Sequence, residues 1–304
     1  MASDSFTEAQ PRLQPKLYGL EHVALDRLEL SLTGHGAALE AIRPAGPGVA
    51  VGVVIDEPDT QTRISETTAH NWGLPFDQIL EAALGNAIGR QIQVDPITAN
   101  AQMIRDPVFA ACVWLRPSLL EGAAGSAARV IVTPTADMTL TGAYTPQTLT
   151  IFAGVIGDLL QAGERLESIT PARLGPAGWE TVAWPASGVN PILWNKAIAL
   201  FADQLYGRQK PLLENQLETT GEKEIFVASH KVSQGPDGQI LTHAVWSEGL
   251  TTLLPHAHQI TLIGNQLGRI TVPWDTLRTM LAEPLQPQGL TPERYLTAAF
   301  PHPA

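Results

Sequence analysis

Histidines gather in one stretch of this 304-residue chain. Four of the eight, His230, His243, His256 and His258, fall between Glu224 and Ile263. A neutral imidazole is a common metal ligand. Residues two apart in an extended segment point to the same side, so His256 and His258 would reach one metal ion. These two side chains are therefore the candidate metal ligands.

The turn between the first two strands of this stretch decides whether all four histidines can meet. Ile225–Val232 and Ile240–Trp246 flank Gly235-Pro236-Asp237-Gly238, a strong turn signal. A two-residue loop would pair His230 with His243, whereas a type I turn followed by a glycine bulge pairs Lys231 with His243. The second register puts the two histidines on opposite faces. The sequence thus favours solvated or structural histidines over a four-histidine site.

Other chemical motifs are weak. The single cysteine, Cys112, lies in the apolar run Val108–Trp114, which favours a core residue over a reactive thiol. The serines of Gly125-Ser126-Ala127 and Ala186-Ser187-Gly188 lack the strand-to-helix turn of a hydrolase nucleophile. The chain has neither Gly-x-Gly-x-x-Gly nor Gly-Lys-Ser/Thr. No cofactor is predicted, and no catalytic residue can be named.

Two tryptophans border loops. Trp246 is followed by Ser247-Glu248-Gly249, and Trp72 precedes Gly73. A partly exposed tryptophan is a frequent interface anchor, although core packing is the ordinary alternative for each. Trp246 with Glu248 is the preferred partner-facing feature, and Trp72 is a second candidate. Glu248 is also the carboxylate that would join His256 and His258 in a metal-dependent hydrolase.

Charge narrows the class of partner. The chain carries 19 basic and 30 acidic residues, a net charge of −11, and no dense cluster of Lys and Arg. Nucleic acid and anionic membrane surfaces are therefore disfavoured as partners. The N-terminal residues are polar without a secretory signal, and no run approaches the ~20 apolar residues of a membrane span. We expect a cytoplasmic protein.

Periodicity predicts the main elements. Residues 1–15 read as a loose tail, and Leu20–Leu32 is ambiguous. The predicted strands are Gly48–Asp56, Val108–Trp114, Arg129–Thr133 and three between Ile225 and Ile263. The predicted helices are one from Pro75 to Gly89, one capped by Thr145 and ended by Gly163, one from Leu193 that Pro211 breaks, Pro273–Ala282, and Pro292–Ala299.

These elements predict an α+β fold, with mixed sheets flanked by helices and an antiparallel meander in the C-terminal part. An N-terminal lobe would cover residues 16–175 and a C-terminal lobe residues 190–304. Residues 170–190 are rich in proline and glycine and form the candidate connection. A single domain with a long ordered loop is the alternative.

Three stretches carry a resemblance to a known family. They are the helix Leu74–Leu84, the apolar run Val108–Trp114 and the strand-to-helix passage Arg129–Leu160. Over about residues 80–170 the chain resembles the uncharacterised bacterial YtpQ-like proteins. That family has no established activity or site residues, so the resemblance implies nothing about function.

Three hypotheses follow. The leading one is a non-enzymatic cytoplasmic accessory protein that binds another protein or a peptide, and an exposed Trp246 or an open sheet edge would support it. The first alternative is a metal-dependent hydrolase that uses the region of His256 and His258. The second alternative is a structural or oligomer-forming subunit.

Overall fold

The computed structural model describes residues 5–33, 39–88, 90–120, 129–184, 190–235, 237–297 and 299–301. The chain forms two compact units. Unit 1 comprises Met1–Val23 and Thr33–Trp194, and unit 2 comprises Ala24–Leu32 and Asn195–Ala304. Helices flank antiparallel and mixed sheets, so the predicted α+β class is confirmed. None of the described helices combines the length and apolar character needed to cross a membrane.

The described helices are α1 (Phe6–Ala9), α2 (Leu20–Thr33), α3 (Glu66–Asn71), α4 (Phe76–Asn86), α5 (Pro107–Leu115), α6 (Pro146–Gln161), α7 (Pro191–Thr220) and α8 (Trp274–Met280). Short 3₁₀ turns lie at Gln10–Arg12 and Pro117–Leu120.

The described strands of unit 1 are β1 (Leu13–Gly19), β2 (Ile42–Gly46), β3 (Val49–Glu57), β4 (Thr60–Arg63), β5 (Val94–Thr98), β6 (Ala101–Arg105), β7 (Arg129–Thr135), β8 (Met138–Ala143), β9 (Ala172–Gly175) and β10 (Gly178–Thr181). Those of unit 2 are β11 (Ile225–Val227), β12 (Lys231–Gln234), β13 (Ile240–Ser247), β14 (Thr251–Pro255), β15 (Gln259–Gly264), β16 (Gly268–Pro273), β17 (Gln286–Pro287) and β18 (Arg294–Thr297).

Unit 1 contains two antiparallel sheets. The first sheet has the order β1-β3-β2, and β4 pairs with the C-terminal half of β3, from Val54 to Glu57. The second sheet has the order β10-β9-β7-β8-β6-β5. The β-branched run of β3 is buried from Val49 to Ile55, as its composition predicts. The main core of the unit forms where these strands meet α4 and α5.

The expectation of a loose tail over residues 1–15 is wrong from Ser5 onward. Ser5 and Glu8 form a capping box that starts α1, and Leu13 and Leu17 of β1 are buried in the core. The polar residues before Leu13 conceal the alternation of buried and partly exposed residues that begins at Leu13. The ambiguous stretch after it is the helix α2.

The strand predicted at Val108–Trp114 is also wrong, because this segment is the helix α5. The Asp106 side chain accepts a hydrogen bond from the Phe109 N–H at 2.7 Å, and Pro107 occupies the first turn. All residues from Val108 to Trp114 are buried, so the helix has no polar face. Periodicity cannot separate such a run from a buried strand. The cap Asp106-Pro107 was the usable signal.

Two helices of unit 1 match their predictions. In α6 the Thr145 hydroxyl accepts from the Thr148 N–H at 3.2 Å, Pro146 is in the first turn, and Gly163 follows with φ +79°. In α4 the predicted apolar side is buried, but Ile88 beyond its end is 72% exposed. The predicted terminator Gly89 lies outside the described residues, as do the two serine loops at 125–127 and 186–188.

Unit 2 contains two mixed sheets, with the orders β11-β14-β18-β17 and β12-β13-β15-β16. The expected antiparallel meander is only partly formed, because β13 and β15 run parallel. After β13 the chain leaves for the other sheet through β14 and then returns. The sequence between Trp246 and Ile260 gave no sign of this extra strand, because Thr251–Pro255 is short and had no alternation.

The hairpin register favoured by the turn residues is confirmed. Lys231 pairs with His243, and Gly238 has φ +74°. Pro236 lies outside the described residues. His230 stands before the first pair of the ladder, so a four-histidine face does not form on this hairpin.

Two predictions near proline are wrong. The helix α7 runs through Pro211 to Thr220, because buried Tyr206 and Gln209 before it and Leu213 and Leu217 after it anchor both halves. Packing thus outweighs the missing hydrogen bond. The predicted helix at Pro292–Ala299 is the strand β18, which pairs with β14.

Candidate functional site

The four histidines have separate surroundings in unit 2. The His230 ring is buried, with Nδ1 3.0 Å from Asp203 Oδ1 of α7, and it stacks on the Tyr206 ring at a centroid distance of 4.9 Å. His243 lies opposite Lys231 on the hairpin. His230 is therefore a structural side chain that joins β12 to α7.

His256 and His258 lie between β14 and β15 and are both exposed. His258 Nδ1 accepts the Thr242 N–H at 3.1 Å and lies 2.9 Å from Thr242 Oγ1. Partial burial of the rings, and then the charges of neighbouring histidines, lower the pKa of both side chains. The neutral form therefore predominates near neutral pH, and one nitrogen of His258 is already engaged.

No metal centre forms around these two side chains. Among the residues that the structure describes, no group of three or more His, Cys, Asp and Glu side chains could hold a metal ion. The Glu248 carboxylate accepts the Asn265 N–H at 2.5 Å, in the turn after β15. Each candidate ligand thus has a structural contact of its own.

The partner-facing interpretation of Trp246 is wrong. Its side chain is 0% exposed, its Nε1 donates to the Leu250 carbonyl at 3.1 Å, and its ring packs edge-on against Phe300 at 5.2 Å. Trp72 of unit 1 is half-buried and packs edge-on against Phe6 at 5.6 Å. Cys112 is buried, and burial raises the pKa of its thiol to about 11.

A polar row on α7 organises unit 2. Asp203, Tyr206 and Gln209 recur every three residues and therefore share one face of the helix. The Tyr206 hydroxyl donates to the Glu293 carbonyl at 2.8 Å and accepts the His256 N–H at 3.1 Å. Gln209 Nε2 donates to the Pro292 carbonyl at 2.7 Å. This row fixes the segment before β18 and the loop that bears His256.

Arg294 is the charged centre of that network. Its side chain is 0% exposed; Nε donates to Gln209 Oε1 at 2.6 Å and Nη1 to the Ala228 carbonyl at 2.8 Å. The guanidinium lies 5.1 Å from the Tyr206 ring centroid. Burial lowers the Arg294 pKa to about 10. The sequence around Arg294 does not predict this role, because the partners of Arg294 come from three distant segments. The only local signal is the spacing of the polar residues on α7.

Two concave surfaces adjoin this network. The first, here called the cleft, has a volume of about 690 Å³ and is lined by His256, Trp274, Pro284, Tyr295 and by Asp275, Arg278, Thr279 and Leu285. Its lining combines aromatic rings with one carboxylate and one guanidinium.

The second surface, here called the groove, lies between the C-terminal part of α7 and the edge strand β11. Its volume is about 470 Å³, and its apolar lining includes Leu217, Ile225, Phe226, Val227 and Leu250. Glu214, Glu218, Lys223 and Glu224 complete the lining. An extended segment could add to the open side of β11 here.

Comparison of the chain with protein-family models, with curated proteins and with solved structures gives no match. The resemblance to the YtpQ-like proteins therefore stays a prediction, and one of the three stretches behind it is the helix α5 instead of a strand.

Proposed function

We propose that this chain is a non-enzymatic accessory protein of the cytoplasm that binds an extended segment of a partner protein in the groove. The observation that carries the proposal is the outer edge of β11, which is the end strand of its sheet. Edge strands with unpaired backbone groups can take up a further strand.

The backbone of β11 alternates between its two sides. The Ala228 N–H donates to the Leu253 carbonyl of β14 at 3.1 Å, so Phe226 and Ala228 bond inward while Ile225 and Val227 face outward. The Ile225 N–H donates to the backbone carbonyl of Glu222 at 3.1 Å, and Lys210 Nζ donates to the Val227 carbonyl at 2.6 Å.

Two outward groups remain. Within the described chain, the Ile225 carbonyl and the Val227 N–H have no hydrogen-bond partner. The Ile225 carbonyl and the Val227 N–H lie on either side of Phe226 and face away from β14. One residue of an added strand could bond to both, through its own N–H and carbonyl. The groove thus offers the Ile225 carbonyl as an acceptor, whereas Val227 is only 1% exposed, so a bound segment has to displace neighbouring side chains to reach the Val227 N–H.

The side chains beside this point supply apolar contact. Phe226 is 45% exposed and Leu250 41% exposed, although both are large apolar residues at the groove. Leu217 and Val227 continue the apolar surface into the small core beneath. An aliphatic side chain of the bound segment would pack against them.

The charge of the rim selects a basic segment. Three carboxylates, of Glu214, Glu218 and Glu224, line the groove against one lysine, Lys223. The ammonium group of Lys223 lies 3.3 Å from the Glu218 carboxylate, and that of Lys210 lies 3.1 Å from the Glu214 carboxylate. Both lysines are therefore paired with other carboxylates, and Glu224 has no ion pair within the described residues. Complementary charge guides the approach and selects the partner. The same surplus of acid disfavours a second copy of this acidic chain as the occupant.

Selection from a random peptide display library tests the proposal. We expect enriched peptides to carry Lys or Arg alternating with aliphatic residues, and to lose at least about tenfold in affinity against the variant Glu224→Lys/Phe226→Ser. The matched control is Asp237→Lys, an exposed charge reversal on the hairpin turn. Peptides without net positive charge that bind all three proteins equally would contradict the proposal.

A further inference from the structure

The cleft has the composition of a small-molecule site. Its volume of about 690 Å³ falls within the range of about 300–1,000 Å³ that is common for ligand pockets. No residue that the structure describes lines both the cleft and the groove. The cleft and the groove are therefore separate surfaces.

Aromatic rings form one continuous side of the cleft. His256 packs edge-on against Trp274 at 4.9 Å, and Trp274 contacts Tyr295 at 5.2 Å. Leu285 lies beside them. The Tyr206 hydroxyl fixes the backbone of His256, so the rings are held before any ligand arrives. This side suits the apolar body of a ligand.

Asp275 and Arg278 supply two opposite charges. They are three residues apart on α8 and therefore lie on the same helix face, and both are exposed. In the described part of the chain neither side chain makes an ion pair or a hydrogen bond. A guanidinium binds a carboxylate through two parallel hydrogen bonds, and a carboxylate accepts from an ammonium group. Both charges are thus available to a ligand.

His256 adds no charge to this set near neutral pH. Burial lowers the pKa of its ring, and the neighbouring His258 lowers it further, while Asp275 acts in the opposite direction. The lining therefore presents one cation, one anion and an aromatic surface. A polyanion or a ligand of single charge would leave one of the two side chains unmatched.

We infer that the cleft binds a free amino acid with a hydrophobic side chain, whose carboxylate pairs with Arg278, whose ammonium pairs with Asp275 and whose side chain packs on the rings. Such a ligand is small enough for the cleft and carries both charges on one carbon. The inference goes beyond peptide binding in the groove and does not depend on it.

Calorimetric titration of the full chain with phenylalanine, leucine and aspartate tests the inference. We expect phenylalanine and leucine to bind and aspartate to bind at least about tenfold more weakly, because its extra carboxylate faces an apolar surface. Phenethylamine lacks the carboxylate, and N-acetylphenylalanine lacks the ammonium group. Phenylalaninamide imitates the N-terminus of a peptide. All three should bind at least about tenfold more weakly than phenylalanine.

Variants assign the binding to the cleft. Arg278→Gln should weaken phenylalanine binding about ten- to hundredfold but leave N-terminal recognition of phenylalaninamide unchanged, and Asp275→Asn should weaken both. The matched controls are Arg269→Gln and Asp237→Asn, which are exposed outside the cleft and should bind like the unaltered protein. Thermal unfolding of each variant verifies that it is folded.

Two results would overturn the inference that the cleft binds a free amino acid. No heat from any hydrophobic amino acid at millimolar concentration would overturn the inference. Equal binding of phenylalanine and phenylalaninamide would also overturn it, because a peptide terminus would then be the ligand. The display selection for the groove is a separate experiment on separate residues, so either proposal can fail while the other stands.

Discussion

The groove and the cleft lie in the same unit but present different chemistry. The groove offers a backbone N–H and carbonyl of β11 beside apolar side chains, with acid in excess at its rim. The cleft offers one guanidinium and one carboxylate beside three rings. Backbone bonds tolerate many sequences, whereas paired charges at fixed positions require a ligand of fixed shape. The first surface therefore suits a chain and the second a small molecule.

One buried network supports both surfaces. Arg294 bonds to Ala228 and Leu253, whose strands carry the groove, and the next residue, Tyr295, lines the cleft. Gln209 joins Arg294 to α7. Changes in this shared network should affect both sites together, and changes on either rim should affect one alone.

The largest expected effect comes from Trp246→Ala. Its indole is fully buried against Phe300, so the free energy of unfolding should fall by about 3–5 kcal/mol. Urea unfolding followed by circular dichroism measures this change. Trp72→Ala, at a half-buried position, is the control and should cost less. Unchanged stability in Trp246→Ala would show that the ring is not a core residue.

The next effect comes from Arg294→Met, which keeps the length of the side chain and removes its donors. The Ala228 carbonyl and Gln209 lose their partner, so the free energy of unfolding should fall by about 2 kcal/mol. Both ligand sites should weaken together. Arg269→Met, at an exposed position, should stay within about 0.5 kcal/mol of the unaltered protein. A more stable Arg294→Met protein would mean that burying the charge costs more than its hydrogen bonds contribute.

A smaller effect is expected from Lys210→Met, which changes the groove and leaves the cleft unaltered. Lys210→Met removes the hydrogen bond to the Val227 carbonyl, so stability should fall by about 1 kcal/mol. The outer edge of β11 becomes more open, so display-selected peptides should bind at least as well as before, and amino acid binding in the cleft should not change. The control Lys223→Met, which loses an exposed ion pair with Glu218, should change stability by less than about 0.5 kcal/mol. Weaker amino acid binding in Lys210→Met alone would contradict the separation of the two sites.

The smallest effect is a pH dependence. The pKa values of His256 and His258 are lowered in the folded state, first by burial, so the unfolded chain binds more protons in this window. Stability should therefore rise with pH from below the folded values up to the unfolded value near 6.5, and level off above it. Both rings are exposed, so the change is modest.

Thermal unfolding of the variant His256→Gln/His258→Gln isolates this contribution. The slope of melting temperature against pH between about 5 and 7 should be flatter than in the unaltered protein. Burial raises the pKa of Glu21 and gives a slope of opposite sign above its ordinary value of about 4.5, and this contribution is common to both proteins. An equal slope in both proteins would contradict the assignment to these histidines.

Local sequence signals predicted those elements whose ends are capped by their own neighbours. Thr145-Pro146 fixed the start of α6, and the glycine-bearing turn fixed the register of Lys231 with His243. The strand predicted for Val108–Trp114 is wrong, because burial on all sides of this helix removes the periodicity that distinguishes a helix from a strand. Its cap at Asp106 carried the missing information.

The candidate sites depended on contacts between distant segments. The turn residues argued against a four-histidine site, but no local pattern brought Arg294 to Ala228 or Tyr295 to Trp274. Trp246 lies next to a loop in sequence, yet its alternating position on β13 faces the core. β11 is an edge strand because of the order of strands in its sheet, and that order involves strands from distant parts of the chain. No single segment of the sequence predicts it.

Amide exchange of Val227 shows whether a bound segment pairs with the edge of β11. The full chain is compared by NMR with and without the tightest display-selected peptide, and the inward-bonded Ala228 serves as the reference. We expect the Val227 N–H, which has no hydrogen-bond partner within the described chain, to exchange at least about tenfold more slowly when the peptide is bound. Unchanged exchange at Val227 with the peptide bound would contradict it, and the partner segment would then lie elsewhere.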